Sequence, residues 1–194
     1  MKPRDRQFAG SPNRRRHRGG FTLIEAALTT VIVGTGVLAI VAAQQAYHQQ
    51  NDWAQHTGTA QYLANELREM TLDLHMHDPI SGKNNLGPEP DELNVEDYDD
   101  LDDFAGSVNG SGEGTGTTFN PPINALGQEI PNMDNWQQFI TVENVLSDNI
   151  SSTVAQPMGT TNMMRLTVQV QYKDPNLDDA TYQTITELTW VVAR

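Results

Sequence analysis

The chain has 194 residues, with 12 lysines and arginines against 25 aspartates and glutamates, a formal net charge of −13 and no cysteine. That length holds one soluble domain of modest size once a membrane segment is set aside, and not two. The missing cysteine excludes a disulfide framework, thiolate catalysis and thiolate metal sites; the acidity argues against direct contact with nucleic acid and is otherwise an ordinary route to solubility.

The first element, residues 1–20, is basic. Lys2, Arg4, Arg6, Arg14, Arg15, Arg16 and Arg18 place seven of the 12 basic residues before Gly20, opposed by Asp5 alone, which leaves five basic against 24 acidic residues in the rest of the chain. The second element, residues 21–43, reads FTLIEAALTTVIVGTGVLAIVAA, with Glu25 its sole charge. About 20 apolar residues span a bilayer core, so the segment is long enough to cross one. A secretory signal peptide has a shorter apolar run with a small-residue cleavage site beyond it, whereas here the basic block abuts Gly20-Phe21 ahead of the apolar run. The positive-inside tendency keeps residues 1–20 cytoplasmic and sends the acidic remainder across. Ala26, Ala27, Thr29, Thr30, Gly34 and Gly36 give the segment a small-residue surface, which suits either close lateral packing of helices in lipid or the simple tolerance of such residues there. An ionised Glu25 on an isolated membrane helix costs about 2.5 to 3.5 kcal/mol on insertion scales, so something must compensate it.

The succession of basic block, Gly20, Phe21, Thr22, Leu23, Ile24, Glu25 and uninterrupted apolar run resembles the prepilin signal of the type IV filament superfamily, and fits it better than the twin-arginine signal that Arg14 to Arg16 also suggest. The resemblance is specific from Arg14 to about Ala43 and architectural after that. It implies a structural subunit, a minor pilin or type II secretion pseudopilin. A prepilin peptidase/methyltransferase would cut between Gly20 and Phe21 and methylate the amine of Phe21. It further implies single-pass residence in the inner membrane with the C-terminal domain outside, and then incorporation into a pilus or pseudopilus. The partners it implies are the membrane, an inner-membrane assembly platform, and major and minor pilin or pseudopilin subunits, with Glu25 neutralised by a neighbour's N-terminal amine. Glu25 speaks against the extreme tip position, whose subunit in the secretion pseudopilus typically lacks it. Two other readings stay open: a membrane-anchored binding module or hydrolase using a prepilin-type export signal, and a DNA-uptake component whose acidic head would not itself touch DNA.

Residues 44–78 continue the helix. Ala46, Trp53, Ala60, Leu67 and Leu74 recur every seven residues with Leu63 and Met70 between them, an apolar stripe at helical spacing. Gln49 and His56 interrupt a coiled-coil seam, so the stripe from Trp53 to Leu74 is expected to pack on the protein's own sheet. His75-Met76-His77-Asp78 ends the helix ahead of Pro79 and is read as a solvated terminus, not a zinc site.

Residues 79–194 form the acidic head. From Ser81 to Gly127 the texture is loop-like, with several prolines and the Gly-rich stretch from Asn109 to Gly116, which lacks the following helix and lysine of a phosphate cradle. The run from Glu96 to Asp103 offers oxygen ligands for calcium, but Leu101 and Phe104 interrupt it and the spacing is not that of an EF-hand; an unliganded acidic loop is the expectation, no cofactor being required and calcium remaining the alternative. Phe139 to Val142, Leu166 to Tyr172 and Leu188 to Val192 read as strands, the last two joined through Lys173 to Ala180. The predicted fold is therefore α+β and pilin-like, a long N-terminal helix, half transmembrane, packed against a small antiparallel sheet. No nucleophile elbow, Walker loop, dinucleotide fingerprint or metal-ligand helix is present in the sequence, and the chain is read as a non-enzyme.

Overall fold

The computed structural model describes residues 20–176 and 181–193. The basic segment before Gly20, and part of the predicted connection up to Ala180, lie outside them. The fold is α+β: one long helix, α1 (Leu23–Thr71), precedes a four-stranded antiparallel sheet of β1 (Thr117–Phe119), β2 (Trp136–Asn144), β3 (Met163–Tyr172) and β4 (Gln183–Ala193), in the order β1-β2-β3-β4. Two compact units divide the chain, residues 1–49 and 50–194, with α1 contributing to both.

The described part of the first unit is helical from Leu23, and apolar residues along it are exposed, among them Leu23, Ile24, Val31, Leu38 and Ile40. α1 is long and apolar enough in this part to cross a membrane. It runs unbroken through Gly34 and Gly36. Thr29, Thr30 and Thr35 donate their hydroxyls to the carbonyls of Glu25, Ala26 and Val31 at 2.7, 2.9 and 3.0 Å, so these polar groups are satisfied within the helix, as hydrocarbon surroundings require.

In the second unit α1 buries Ala60, Leu63, Ala64, Leu67 and Thr71. The seven-residue stripe is thus correct at Ala60 and Leu67 and fails at Trp53, which is 60% exposed. A straight helix drifts by about 20° per heptad relative to a seven-residue repeat, so two heptads from Leu67 the buried meridian has moved off Trp53. His56 carries it instead, with its ring 5.7 Å from that of Trp136 and 4.3 Å from that of Tyr172. α1 also stops at Thr71, short of the Asp78 that Pro79 suggested. The chain is pulled out of the helix when the carbonyl of His75 accepts the Leu101 N–H at 2.8 Å.

Period-two alternation gives the sheet one buried face: Trp136, Gln138, Ile140, Val142 and Asn144 on β2 and Met164, Leu166, Val168 and Val170 on β3. Leu166 faces Trp190 and Val168 faces Leu188 across the β3–β4 ladder. The opposite face is polar, with the Thr167 and Thr189 hydroxyls 3.0 Å apart and Gln169 donating to Glu187 at 3.0 Å. Strand β1 is three residues long and was not foreseen in the loop-like stretch. It exists because Gly116, at a φ of +77°, lets the chain approach β2 so closely that a Cβ there would lie 2.7 Å from the Phe139 ring.

The two fully buried amides are fully used. Gln138 donates to the carbonyls of Leu63 and Ile123 at 2.8 and 3.1 Å and accepts the Ile123 N–H at 2.8 Å. Asn144 donates to the Thr161 carbonyl at 2.9 Å and accepts the Gly159 N–H at 3.2 Å. A fragment beginning at Gln50 should therefore fold by itself, and Gln138→Leu in it should lower stability by about 2 kcal/mol or more, because a buried N–H and carbonyl lose their partners at about 1 to 3 kcal/mol each. Urea unfolding of the two fragments measures the difference.

Candidate functional site

Two places carry chemistry. The first is the start of α1. Gly20 and Phe21 are exposed and precede the helix. Thr22 and Glu25 then form a loose reciprocal cap: the Glu25 N–H approaches the Thr22 hydroxyl at 3.3 Å, and the Thr22 N–H and hydroxyl approach Glu25 Oε2 at 3.4 Å. Threonine followed three residues later by glutamate is the capping-box pattern, and a carboxylate in the first turn also sits favourably in the helix dipole. The lone charge of the apolar segment therefore has a local task in capping its own helix. Gly20, Phe21 and Glu25 are adjacent along one helix start.

The second place is the segment between α1 and β1. Leu101 and Phe104, which looked like interruptions of an acidic run, are fully buried in the core, with Phe104 meeting Tyr98 edge-on at 5.2 Å. Anchoring these two apolar side chains drags their acidic neighbours inward. Asp100, Asp102 and Asp103 are 1%, 1% and 0% exposed. Asp100 Oδ1 accepts the N–H groups of Asp102 and Asp103 at 2.8 and 3.2 Å, and Asp103 Oδ2 accepts those of Asp99 and Asp100, both at 3.1 Å. Glu89 and Glu92 complete the group from upstream. Carboxylate oxygens of Glu89, Asp100 and Asp103, and likewise of Glu92, Asp99 and Asp103, lie within 4.8 Å of one another.

The acidic run is legible in the sequence, whereas Glu89 and Glu92 are not, their spacing of three beside that run being the available signal. Glu96 and Asp97, which it included, turn away: both are exposed, and Asp97 Oδ2 caps a short 3-10 turn by accepting the Asn94 N–H at 3.1 Å. His77 was expected in solvent. Its side chain is only 10% exposed, with Nδ1 3.2 Å from Asp102 Oδ1, though without the alignment of a hydrogen bond.

Burial, followed by the neighbouring carboxylates, pushes Asp100 up to about 10. Burial likewise raises Glu92 to about 8 and Asp103 to about 6, the latter held back by N–H groups donated to its carboxylate. The same surroundings raise Tyr98, through burial first and then the charges of Asp103 and Glu92. Without a cation the group therefore keeps protons at neutral pH. A surface depression lies elsewhere, bounded by Asn94, Tyr98, Phe119, Asn120, Gln128 and Glu129, and its lining contains no histidine, lysine or serine. Comparison with protein-family profiles, curated proteins and solved structures found no match for this chain.

The raised carboxyls fix the sign of a pH dependence. Asp100, Glu92 and Asp103 bind protons more tightly folded than unfolded, so the stability they lend is complete below their ordinary values of 3.8 to 4.5 and is lost as pH rises through 6, 8 and 10. Asp78, lowered by the N–H groups of Ile80 and Ser81, acts oppositely and only at acid pH. The melting temperature of the chelator-treated protein should fall steadily from about pH 5 to about pH 9, and Asp100→Asn, which retains the Oδ1 acceptor for both N–H groups, should flatten that slope. Calorimetry across the pH series measures it.

Proposed function

We propose that this chain is a structural subunit of a type IV pilus or type II secretion pseudopilus, cut between Gly20 and Phe21, methylated at the Phe21 amine and assembled through α1. The observation that carries the reading is the start of α1: a charge step, a Gly-Phe junction exposed ahead of the helix, and one carboxylate in the first turn of an otherwise apolar segment. A helix long and apolar enough to cross a membrane supports inner-membrane residence with the acidic head outside. In the filament, a neighbour's N-terminal amine would neutralise Glu25, exchanging a loose local cap for a charge pair in hydrocarbon. The partners are then the prepilin peptidase, the assembly platform and the other pilin or pseudopilin subunits.

Mass spectrometry of protein from a host with its prepilin peptidase should find a methylated N-terminus at Phe21; intact Met1 overturns the processing. The two roles open to Glu25 separate by substitution. Glu25→Ala removes cap and charge, whereas Glu25→Gln keeps the capping-box acceptor and removes only the charge. If the charge pair operates, both variants insert and are cleaved, yet crosslinking to the major subunit drops by about tenfold for each 1.4 kcal/mol that the pair contributes. Wild-type crosslinking in Glu25→Gln, with loss in Glu25→Ala, reduces Glu25 to a cap.

A further inference from the structure

We propose that the outer edge of β4 pairs with the same edge of a second copy of this chain, antiparallel and with the two-fold axis at Thr189. β4 is the longest strand of the sheet, at 11 residues, and β3 is its one strand neighbour. The Val145 N–H donates to the Met163 carbonyl at 3.0 Å, which turns the backbone groups of the odd-numbered residues of β3 toward β2 and those of the even-numbered ones toward β4. Met164 faces Val192, Leu166 faces Trp190 and Val168 faces Leu188, so the even-numbered residues of β4 bond inward. Glu187, Thr189 and Val191 then direct their N–H and carbonyl groups away from the sheet. Among the described residues no backbone bond made outside the helices and strands involves β4.

An open edge is a template for another strand, and natural sheets blunt it with lysine, proline, brevity or a bulge. β4 has no lysine and no proline, Glu187 is its sole charge, and its bulge lies back at the Val170/Gln171 end. The side chains along the edge are apolar and incompletely covered: Leu188, Trp190 and Val192 are half-buried at the margin of the core, and Val191 on the other face is 37% exposed. β1, at the opposite end of the sheet, has three residues and offers little to pair with, so within this chain the complement of β4 is β4 itself. Period-two alternation restricts the registers to those that keep each face together. An axis at Glu187 sets two carboxylates opposite each other, and one at Leu188 leaves them diagonal neighbours. An axis at Thr189 parts them by about 14 Å, sets each Leu188 opposite Trp190 of the second copy and joins threonine to threonine. Moving the axis on to Trp190 shortens the paired stretch from residues 185–193 to residues 187–193. The inference stands whether or not the chain is cut between Gly20 and Phe21.

The chain has no cysteine, so introduced single cysteines report the pairing directly. With the full chain in detergent, oxidised Thr189→Cys should crosslink to itself, because residues facing each other in a hydrogen-bonded antiparallel pair have Cα atoms about 5.5 Å apart, within disulfide reach. Glu187→Cys should crosslink to Val191→Cys in a mixture and not to itself, and Ser151→Cys, exposed between β2 and β3, should not crosslink. Val191→Pro removes an N–H from the outer edge and none from the β3 ladder, so adding it to Thr189→Cys should abolish the crosslink while circular dichroism shows the strands intact. Thr189→Lys and Thr189→Glu should each weaken self-association several-fold by sedimentation, and mixing the two should restore it. A Thr189→Cys chain that stays monomeric, or that crosslinks no better than Glu187→Cys and Ser151→Cys, overturns the pairing, as does a crosslink that survives Val191→Pro. Crosslinking of Thr189→Cys in host membranes to a different protein and not to itself overturns the second copy as occupant.

Discussion

The head is organised around the short face of α1 that offers Ala60, Leu63, Ala64 and Leu67 to its core. Small residues at two of those four positions let neighbouring backbone come close, and Gln138 on β2 exploits that by reaching the Leu63 carbonyl at 2.8 Å while holding Ile123 from both sides. Nearby, Glu66 accepts the Ala125 N–H at 2.7 Å. One stretch of helix therefore positions strand and loop together. The specificity comes from hydrogen bonds made where water is excluded, since each such bond is modest when made and expensive when lost.

The segment between α1 and β1 follows from that core and works against it. Its two anchors, Leu101 and Phe104, gain by burial of the order of 1.5 to 3 kcal/mol each. They are separated by Asp102 and Asp103 and preceded by Asp99 and Asp100, so carboxylates enter the interior with them. Backbone N–H groups compensate part of the cost, and raised proton affinity compensates more. The interior holds these groups because the apolar side chains beside them cannot be buried otherwise.

Strands β2, β3 and β4 were legible in the sequence because a half-buried antiparallel sheet writes its two faces into alternate residues, as in Leu166, Val168 and Val170 against Thr167 and Gln169. The long helix was legible for the same kind of reason, through length and apolar continuity. What could not be read is what tertiary contact decides. β1 is three residues called into extended form by β2, Pro79 was a weaker stop than the His75 carbonyl's bond to Leu101, and Trp53 lost its place to His56 through a drift of helical phase. At the acidic group the charged run was visible but its geometry was not. Glu89 and Glu92 join through space, Glu96 and Asp97 turn outward with Asp97 forming a cap, and His77 is largely buried beside Asp102.

The two places that carry chemistry share one physical problem, a carboxylate among apolar side chains, and meet it differently. At the start of α1 there is a single charge, close to the helix end, and the hydroxyl and N–H of Thr22 approach it at 3.4 Å. Hydrogen bonds that long are easily exchanged for a better partner, so a neighbouring cationic amine would have little to displace. At the acidic group the carboxylates are several, enclosed, and oriented by bonds as short as 2.8 Å. Among the described residues neither ion pair involves Glu92, Asp100 or Asp103, and at neutral pH protons occupy Glu92 and Asp100. The first arrangement leaves one carboxylate loosely held at an exposed helix end; the second encloses several carboxyls and relieves their crowding by holding protons.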